Sequence, residues 1–253
     1  MVIPTMPVKI KASGLSDVGL IRHNNEDVWA QLPEDHFYVL ADGMGGHQAG
    51  EVAAREAVNA LCQSFKKMRS KGQKSFYEAP LVIERSIEHA NSVVYKMGRS
   101  HEMLRGMGTT LCCLYFHDEG LVYGHVGDSR IYCLRDTKLT QLTHDHSLVT
   151  ELVELGQLNE HQVSDFLYKN IITKAIGTEP HVEPSVDTID LKKGDKFLMC
   201  TDGLSDLLTV NEIEAILNQN KDNEEASEQL VSCAKARGGH DNITVVLIEV
   251  SQI

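Results

Sequence analysis

The segment FYVLADGMGGHQAG, residues 37–50, leads from a strand-like apolar run through a glycine-rich turn into a helical pattern. The run at residues 37–41 is almost unbroken, which is typical of a strand buried on both faces. It ends abruptly at Asp42-Gly43. Asp-Gly is also among the commonest turn dipeptides, so this segment alone is consistent with an ordinary strand end.

A similar pattern, an aspartate within two residues of a glycine at the edge of an apolar run, occurs three more times. The segments are FLMCTDG at 197–203, VGDSR at 126–130 and GHDNIT at 239–244. Glu26 adds a further acid inside the polar block at residues 22–27. The recurrence suggests that the acids are functional and are not only turn residues.

The order of apolar patterns predicts an α+β fold with antiparallel sheets. Strands come first, followed by two helices near residues 53–65 and 83–97, then a strand-rich segment, a helical insert, and strands and helices again. The short turns at 118–120 and 127–128 predict antiparallel hairpins. Asp145 or Ser147 is expected to cap the helix that opens the insert.

Composition excludes several classes of protein. The 253 residues are 42% hydrophobic and 24% charged, as in an ordinary globular protein. The formal net charge of −12 argues against nucleic acid or an anionic membrane as the main partner. The sequence shows no membrane-spanning run and no signal peptide, and its six cysteines are expected to be reduced thiols, so we expect a cytoplasmic protein.

The strand-end acids would repel one another strongly if the fold gathered them without cations. Carboxylate oxygens favour Mg²⁺ or Mn²⁺ over zinc or copper. Two such ions can share a bridging carboxylate and activate a water for hydrolysis of a phosphate ester. Arg22 lies four residues before Glu26, where a guanidinium either grips phosphate oxygens or is an ordinary solvated side chain.

Eight segments, taken in order, carry a resemblance to a known family. They are SDVGLIRHNNED (16–27), VLADGMGGHQAGE (39–51), GMGTTL (106–111), HVGDSRIY (125–132), LTHDHSLV (142–149), NIITKAIG (170–177), CTDGLSD (200–206) and GGHDNITVV (238–246). This set closely resembles the metal-dependent protein phosphatases, the type 2C or PPM family, in their compact bacterial form. Single elements such as GMGTT are weak signals, whereas eight in the right order over residues 10–250 are specific.

The resemblance implies a fold and an activity. The expected fold is an α-β-β-α sandwich, two stacked antiparallel sheets with helices on both outer faces. Residues 1–253 would form a single phosphatase catalytic domain, with residues 147–184 inserted in it as a small helical flap. The expected activity is metal-dependent hydrolysis of phosphoserine and phosphothreonine in proteins, opposing a bacterial serine/threonine kinase. A monomer is the expected state.

The resemblance also implies roles in metal binding. Asp42 matches the carboxylate that bridges two catalytic ions, Mn²⁺ or Mg²⁺. Asp202 and Asp241 match ligands of the first ion. The carbonyl of Gly43 and, through water, Glu26 would hold the second.

Two further roles come from the same resemblance. Asp128, together with Asp202, matches the site of a possible third ion in bacterial members. Arg22 matches the phosphate-binding arginine, so Arg22 and Asp42 are the expected catalytic residues.

The chain departs from the family pattern at two places. Met44 stands where many eukaryotic members carry the histidine favoured as general acid, and we do not transfer that role to His47. A metal-bound water is therefore the expected donor of the leaving-group proton. The tip of the insert, residues 165–169 (DFLYK), is more apolar than the His- and Arg-rich stretch of many bacterial members, and we expect it to alter which phosphoproteins dock.

Two other functions compete with this interpretation. One is a non-catalytic regulator that keeps the fold and binds partners, although degenerate versions usually lose acids that this chain retains. The other is a two-metal hydrolase of small phosphates or nucleic acid, which the negative charge and the resemblance disfavour.

Overall fold

Two antiparallel sheets account for most of the strands in the computed structural model, which describes residues 8–45, 49–70, 72, 75–159, 166 and 171–253. The first sheet has the order β1-β11-β10-β7-β8. These strands are β1 (Lys9–Asp17), β11 (Ile243–Gln252), β10 (Lys196–Cys200), β7 (Arg130–Arg135) and β8 (Lys138–Gln141).

The second sheet has the order β2-β3-β5-β6-β9, and the short strand β4 pairs with β3 beyond the end of β5. Its members are β2 (Asp27–Leu32), β3 (Phe37–Met44), β4 (Gly108–Thr109), β5 (Leu111–His117), β6 (Gly120–Val126) and β9 (Ser185–Ile189).

Strand β3 shows why its apolar run is unbroken. Successive side chains of a strand point to opposite faces, so Tyr38 and Leu40 enter the core between the two sheets. Phe37 and Val39 point the other way into the core beneath the helices. The prediction that this strand is buried on both faces is confirmed.

Each sheet carries helices on its outer face. On the second sheet lie α1 (Ala49–Ser70) and α2 (Ala79–Ser100), where Phe37 of β3 stacks on Phe65 of α1 with ring centroids 4.1 Å apart. On the first sheet lie α5 (Val210–Gln219) and α6 (Asn223–Ala236). This is the predicted α-β-β-α sandwich, and the α+β fold class is confirmed.

One predicted hairpin is wrong. Strands β5 and β6 pair, as do β7 and β8, but β6 and β7 belong to different sheets. The turn at residues 127–129 therefore carries the chain from one sheet to the other, with Gly127 in the left-handed region at φ 104°. A short turn does not by itself distinguish a hairpin from a crossing between stacked sheets.

Other boundaries differ in detail from the sequence prediction. Helix α1 continues to Ser70, beyond the helical pattern that the sequence shows near residues 53–65. A four-residue helix, α4 (Asp202–Ser205), follows β10 and was not predicted. All six cysteines are free.

The insert is described in part. Ser147 caps α3 (Leu148–Glu154) by accepting a hydrogen bond from the Thr150 amide, while Asp145 pairs with Arg130 instead. Residues 160–165 and 167–170, which hold part of the predicted helical insert and most of its 165–169 tip, lie outside the described residues. The flap boundaries at 147 and 184 and the effect of the tip stay predictions.

Candidate metal and phosphate site

The acids singled out by the sequence all lie where a strand begins or ends. Glu26 precedes β2, Asp42 lies near the end of β3, and Asp128 lies in the turn between β6 and β7. Asp202 opens α4 just after β10, and Asp241 precedes β11 by two residues. Because neighbouring strands are antiparallel, these starts and ends meet at one end of the sandwich.

A pocket of about 270 Å³ at that end gathers all seven predicted site residues. Its lining comprises Arg22, Glu26, Asp42, Gly43, Met44, Gly45, Thr110, Asp128, Ile172, Asp202, Asp241 and Asn242. Five of the twelve are acidic and one is basic, so the pocket is strongly electronegative. The individual ligand roles stay predictions.

Asp42 is central to this electrostatic arrangement. Removal from water raises its pKa well above the ordinary value, and repulsion by Asp27, Asp202, Asp128 and Asp241 raises it further. Its backbone is fixed on both sides, since its amide donates to the Thr110 hydroxyl at 2.9 Å and its carbonyl accepts from the Thr109 hydroxyl at 2.7 Å. The chain thus holds this carboxylate in a position that is unfavourable without a cation.

The carboxyl groups of Asp128 and Asp202 also have raised pKa values. Burial, followed by repulsion from Asp202 and Asp145, raises the pKa of Asp128 to about 7. Burial, with repulsion from neighbouring acids, raises the pKa of Asp202 to about 6, although a hydrogen bond with Asp42 partly offsets that rise. One oxygen of Asp202, Oδ1, is buried without a hydrogen-bond partner.

Arg22 supplies the positive charge of the pocket. Its guanidinium donates to Oδ2 of Asp241 at 2.7 Å, and the two side chains are 54% and 37% exposed. An exposed ion pair of this kind contributes little to stability. The guanidinium is therefore free to exchange Asp241 for an incoming anion, which favours the phosphate-binding interpretation of Arg22 over that of a merely solvated residue.

Asp27 is a buried acid beside the site that the sequence interpretation missed. Its Oδ2 accepts hydrogen bonds from the hydroxyls of Thr244 at 2.7 Å and Thr201 at 3.0 Å, and its Oδ1 has no partner. Burial raises its pKa to about 7. Antiparallel pairing places it opposite Asp42. Its position beside Glu26 was visible in the sequence, but the register that sets it against Asp42 was not.

Asn242 was also missed, and it joins the segment before β11 to three residues of the loop at 18–26. Its Oδ1 accepts from the Glu26 amide at 2.8 Å, while its Nδ2 donates to the carbonyls of Val18 at 3.0 Å and Asn24 at 2.9 Å. The residue after Asp241 therefore fixes both the backbone of Glu26 and the loop that carries Arg22.

Close packing explains two of the glycines. A Cβ on Gly43 would lie 2.2 Å from the Gly50 carbonyl oxygen and 2.8 Å from that of Glu26. A Cβ on Gly50 would lie 2.2 Å from Oε2 of Glu26. The start of α1 can approach β3 this closely only because neither residue has a side chain.

We expect Gly43→Ala to lower the free energy of unfolding by about 1–3 kcal/mol, as overpacking of a tight interior does. Urea denaturation of the metal-free protein measures the change. The matched control is Gly98→Ala, where the added Cβ comes no closer than 3.2 Å to Leu104 O and the helix gains propensity. Equal stabilities for the two variants would contradict the packing argument.

The donor set fits Mg²⁺ or Mn²⁺. It consists of carboxylates and a backbone carbonyl, all hard oxygens, and the cluster has an unpartnered buried oxygen on Asp202 and carboxyl pKa values raised by mutual repulsion. Among the residues that the structure describes, no three His, Cys, Asp or Glu side chains surround one common point as a closed metal site would. Carbonyl and water ligands would have to complete the coordination of any ion bound here.

The walls of the pocket include two apolar side chains, Met44 and Ile172. Met44 lies at the position where a histidine could have served as general acid. His47 lies outside the described residues. A metal-bound water as the proton donor stays a prediction.

Comparison with known proteins points to one family. A sequence model described as Protein phosphatase 2C matches residues 22–244. Protein phosphatase PhpP of Streptococcus pneumoniae is 36% identical over 246 residues, which cover 96% of this chain and 98% of the relative.

Solved structures of serine/threonine phosphatases also resemble this chain in fold and sequence. The serine/threonine phosphatase PstP/Ppp of Mycobacterium tuberculosis matches with a TM-score of 0.88 and 33% identity, covering 97% of this chain and 100% of that one. The catalytic domain of PstP in complex with two manganese ions matches with a TM-score of 0.85 and 33% identity, covering 97% of this chain and 99% of that one.

None of the helices among the described residues combines the length and the hydrophobicity that a membrane-spanning segment requires.

Proposed function

Since this chain belongs to the protein phosphatase 2C family of serine/threonine phosphatases, we propose that it hydrolyses phosphoserine and phosphothreonine in proteins through a water activated by two metal ions. The observation that carries the proposal is the meeting of Arg22 with Glu26, Asp42, Asp128, Asp202 and Asp241 in one pocket. A binding module that takes up no cation would have to keep these neighbouring carboxylates together against their mutual repulsion.

The carboxylates would hold the ions. Asp42 is the proposed bridge between the two ions. Asp202 and Asp241 would hold the first ion, and the Gly43 carbonyl and, through water, Glu26 would hold the second. Two bound ions would supply an activated water and would neutralise the phosphoryl oxygens. Asp128 and Asp202 are the proposed ligands of a third ion. The two manganese ions in the PstP structure support Mn²⁺ or Mg²⁺ as the metal.

The remaining steps are the binding of the phosphoryl group by Arg22 and the protonation of the leaving oxygen. Arg22 would leave Asp241 and grip two phosphoryl oxygens, which holds phosphorus in line with the attacking water. Water forms the new P–O bond, the bond to the serine or threonine oxygen breaks, and that oxygen takes a proton. No histidine replaces Met44 among the described residues of the pocket, so we assign the proton to water and not to a side chain.

The substrates in this proposal are the phosphoproteins made by a serine/threonine kinase, and the enzyme acts as a monomer. The alternative is a non-catalytic regulator with the same fold. It is disfavoured because the pocket retains all five acids and the arginine.

Phosphate release from a phosphothreonine peptide tests the proposal. We expect turnover with Mn²⁺ and none with a chelator. A protein that binds Mn²⁺ and the peptide but releases no phosphate would be the regulator, and the proposed function would be wrong. Release that a chelator leaves unchanged would also contradict it.

Arg22→Ala is expected to raise KM for phosphorylated substrates about 10- to 100-fold, with a smaller effect on kcat, because it removes a charge-assisted bidentate contact. Steady-state kinetics on an aryl phosphate and on a phosphothreonine peptide measure the effect. Arg85→Ala, an exposed arginine of α2, serves as the control and should leave both constants unchanged. An Arg22→Ala enzyme with native KM would rule out phosphate binding by Arg22.

A further inference from the structure

Three large apolar side chains are exposed beside the pocket, on the loop that leads into Arg22. Val18 is 37% exposed, Leu20 58% and Ile21 62%. Single exposed apolar residues are common and need no explanation. Three within four positions, immediately before the phosphate-binding arginine, form a local apolar surface, which we call the 18–21 surface.

The backbone of this loop is fixed by hydrogen bonds and by one close contact. The Leu20 amide donates to the Gly239 carbonyl at 2.8 Å, and Asn242 donates to the Val18 carbonyl at 3.0 Å. Gly19 has φ 77°, and a Cβ on it would lie 2.2 Å from the Asp241 carbonyl oxygen. These contacts tie the loop to the segment that carries Asp241. The hydrogen bonds that build the site therefore also fix the backbone from which the side chains of Val18, Leu20 and Ile21 extend into solvent.

The surroundings of the 18–21 surface restrict what can cover it. The carboxylate of an acidic flanking residue would lose its hydration against the exposed side chains of Leu20 and Ile21. Met44 and Ile172 add apolar area within the pocket itself. An apolar flanking side chain fits these conditions better than a charged acidic one.

We propose that the 18–21 surface binds an apolar side chain of the substrate protein, close in sequence to the phosphorylated residue. The inference rests on the proposed function, since it uses the phosphate held by Arg22 as the anchor. It adds a substrate preference: phosphoserine or phosphothreonine flanked by an aliphatic or aromatic residue, and not by acids.

Chain geometry sets the position of that residue. Consecutive Cα atoms are 3.8 Å apart, so Leu20 and Ile21 begin within about 8 Å of the Arg22 Cα. An extended peptide advances about 3.3 Å per residue. The apolar side chain is therefore expected a few positions from the phosphorylated residue, and the second and third positions are tested first.

The test compares kcat/KM in Mn²⁺ for three phosphothreonine peptides that carry leucine, serine or aspartate at those positions. Native enzyme should prefer the leucine peptide, and Leu20→Ser and Ile21→Ser should each lower its kcat/KM about tenfold, the loss expected when burial of part of a large apolar side chain is removed. Hydrolysis of an aryl phosphate, which does not reach the loop, should stay native. Tyr77→Ser is the matched control, because Tyr77 is 93% exposed and lies in a 3-10 helix beside the opposite end of β6.

Ile21→Lys gives an independent measurement with the opposite sign. It should lower kcat/KM for the leucine peptide and raise it for the aspartate peptide. A native enzyme without preference among the peptides would overturn the inference, and so would serine variants with native kcat/KM on all three peptides. In either case, turnover of the aryl phosphate would leave the proposed function standing. Sedimentation that shows a dimer broken by Ile21→Ser would assign the surface to a second copy and overturn the inference too. Absence of aryl phosphate turnover by native enzyme would overturn both.

Discussion

Asp42→Asn is expected to lower kcat/KM for a phosphothreonine peptide by at least about 1,000-fold. The proposed bridge contributes to both metal positions, and metal activation of the nucleophile contributes several kcal/mol to the transition state. Asparagine keeps the size of the side chain but removes the charge that would hold two ions together. We expect the variant to bind fewer Mn²⁺ ions, which calorimetric titration measures beside the activity.

The control for Asp42→Asn is Asp195→Asn. Asp195 is a buried aspartate too, but it pairs with Arg135 and does not line the pocket. It should cost stability and leave turnover near native at a temperature where both proteins are folded. Without metal, Asp42→Asn should be at least as stable as native, because it relieves repulsion among carboxylates. More than a tenth of native activity in Asp42→Asn would show that this carboxylate is not the bridge.

The second large effect is a pH dependence of stability in the metal-free protein. The folded-state pKa of Asp128 is about 7, against an ordinary value of 3.8. Between these two values the folded chain holds a proton that the unfolded chain has lost, so the free energy of unfolding falls as pH rises through this window. Asp128→Asn lacks this group. Native protein should therefore lose about 2–4 kcal/mol relative to the variant between pH 5 and pH 8.

Comparison of native and variant at each pH isolates the effects of the Asp128 charge, namely its own titration and its repulsion of Asp42, which both favour the variant as pH rises. His125 and His146 have lowered pKa values, that of His146 being about 4, so they make stability rise with pH through the acidic part of the same window. Both proteins carry these histidines, and their contribution cancels in the difference. Urea denaturation in chelator at pH 5, 6, 7 and 8 gives the four differences. A difference that does not change with pH would refute the burial and repulsion assigned to Asp128.

Much of the site could be anticipated because strand ends leave a signature in the sequence. An apolar run that stops at Asp-Gly marks where the core ends and a carboxylate begins, and this held for Asp42 and Asp202. Residue patterns did not by themselves show that these ends meet. The ordered resemblance to a known family supplied that expectation, and the sheet topology accounts for it physically.

What the sequence did not reveal depends on register and on crossings between sheets. The pairing of β2 with β3 sets Asp27 against Asp42, and a shift of one residue would have pointed Asp27 to the other face. The turn that carries Asp128 was interpreted as part of a hairpin because its length suits either connection. Asn242 was missed because its three hydrogen bonds join segments more than 200 residues apart.

Simultaneous counting of bound ions and turnover tests the central claim most directly. Protein stripped with chelator is titrated with Mn²⁺, and bound manganese per chain and phosphate release from a phosphothreonine peptide are measured in the same samples. The two-ion account predicts negligible turnover up to one ion per chain and a steep rise as the second binds. Full turnover at one ion per chain, or turnover without manganese, would contradict it.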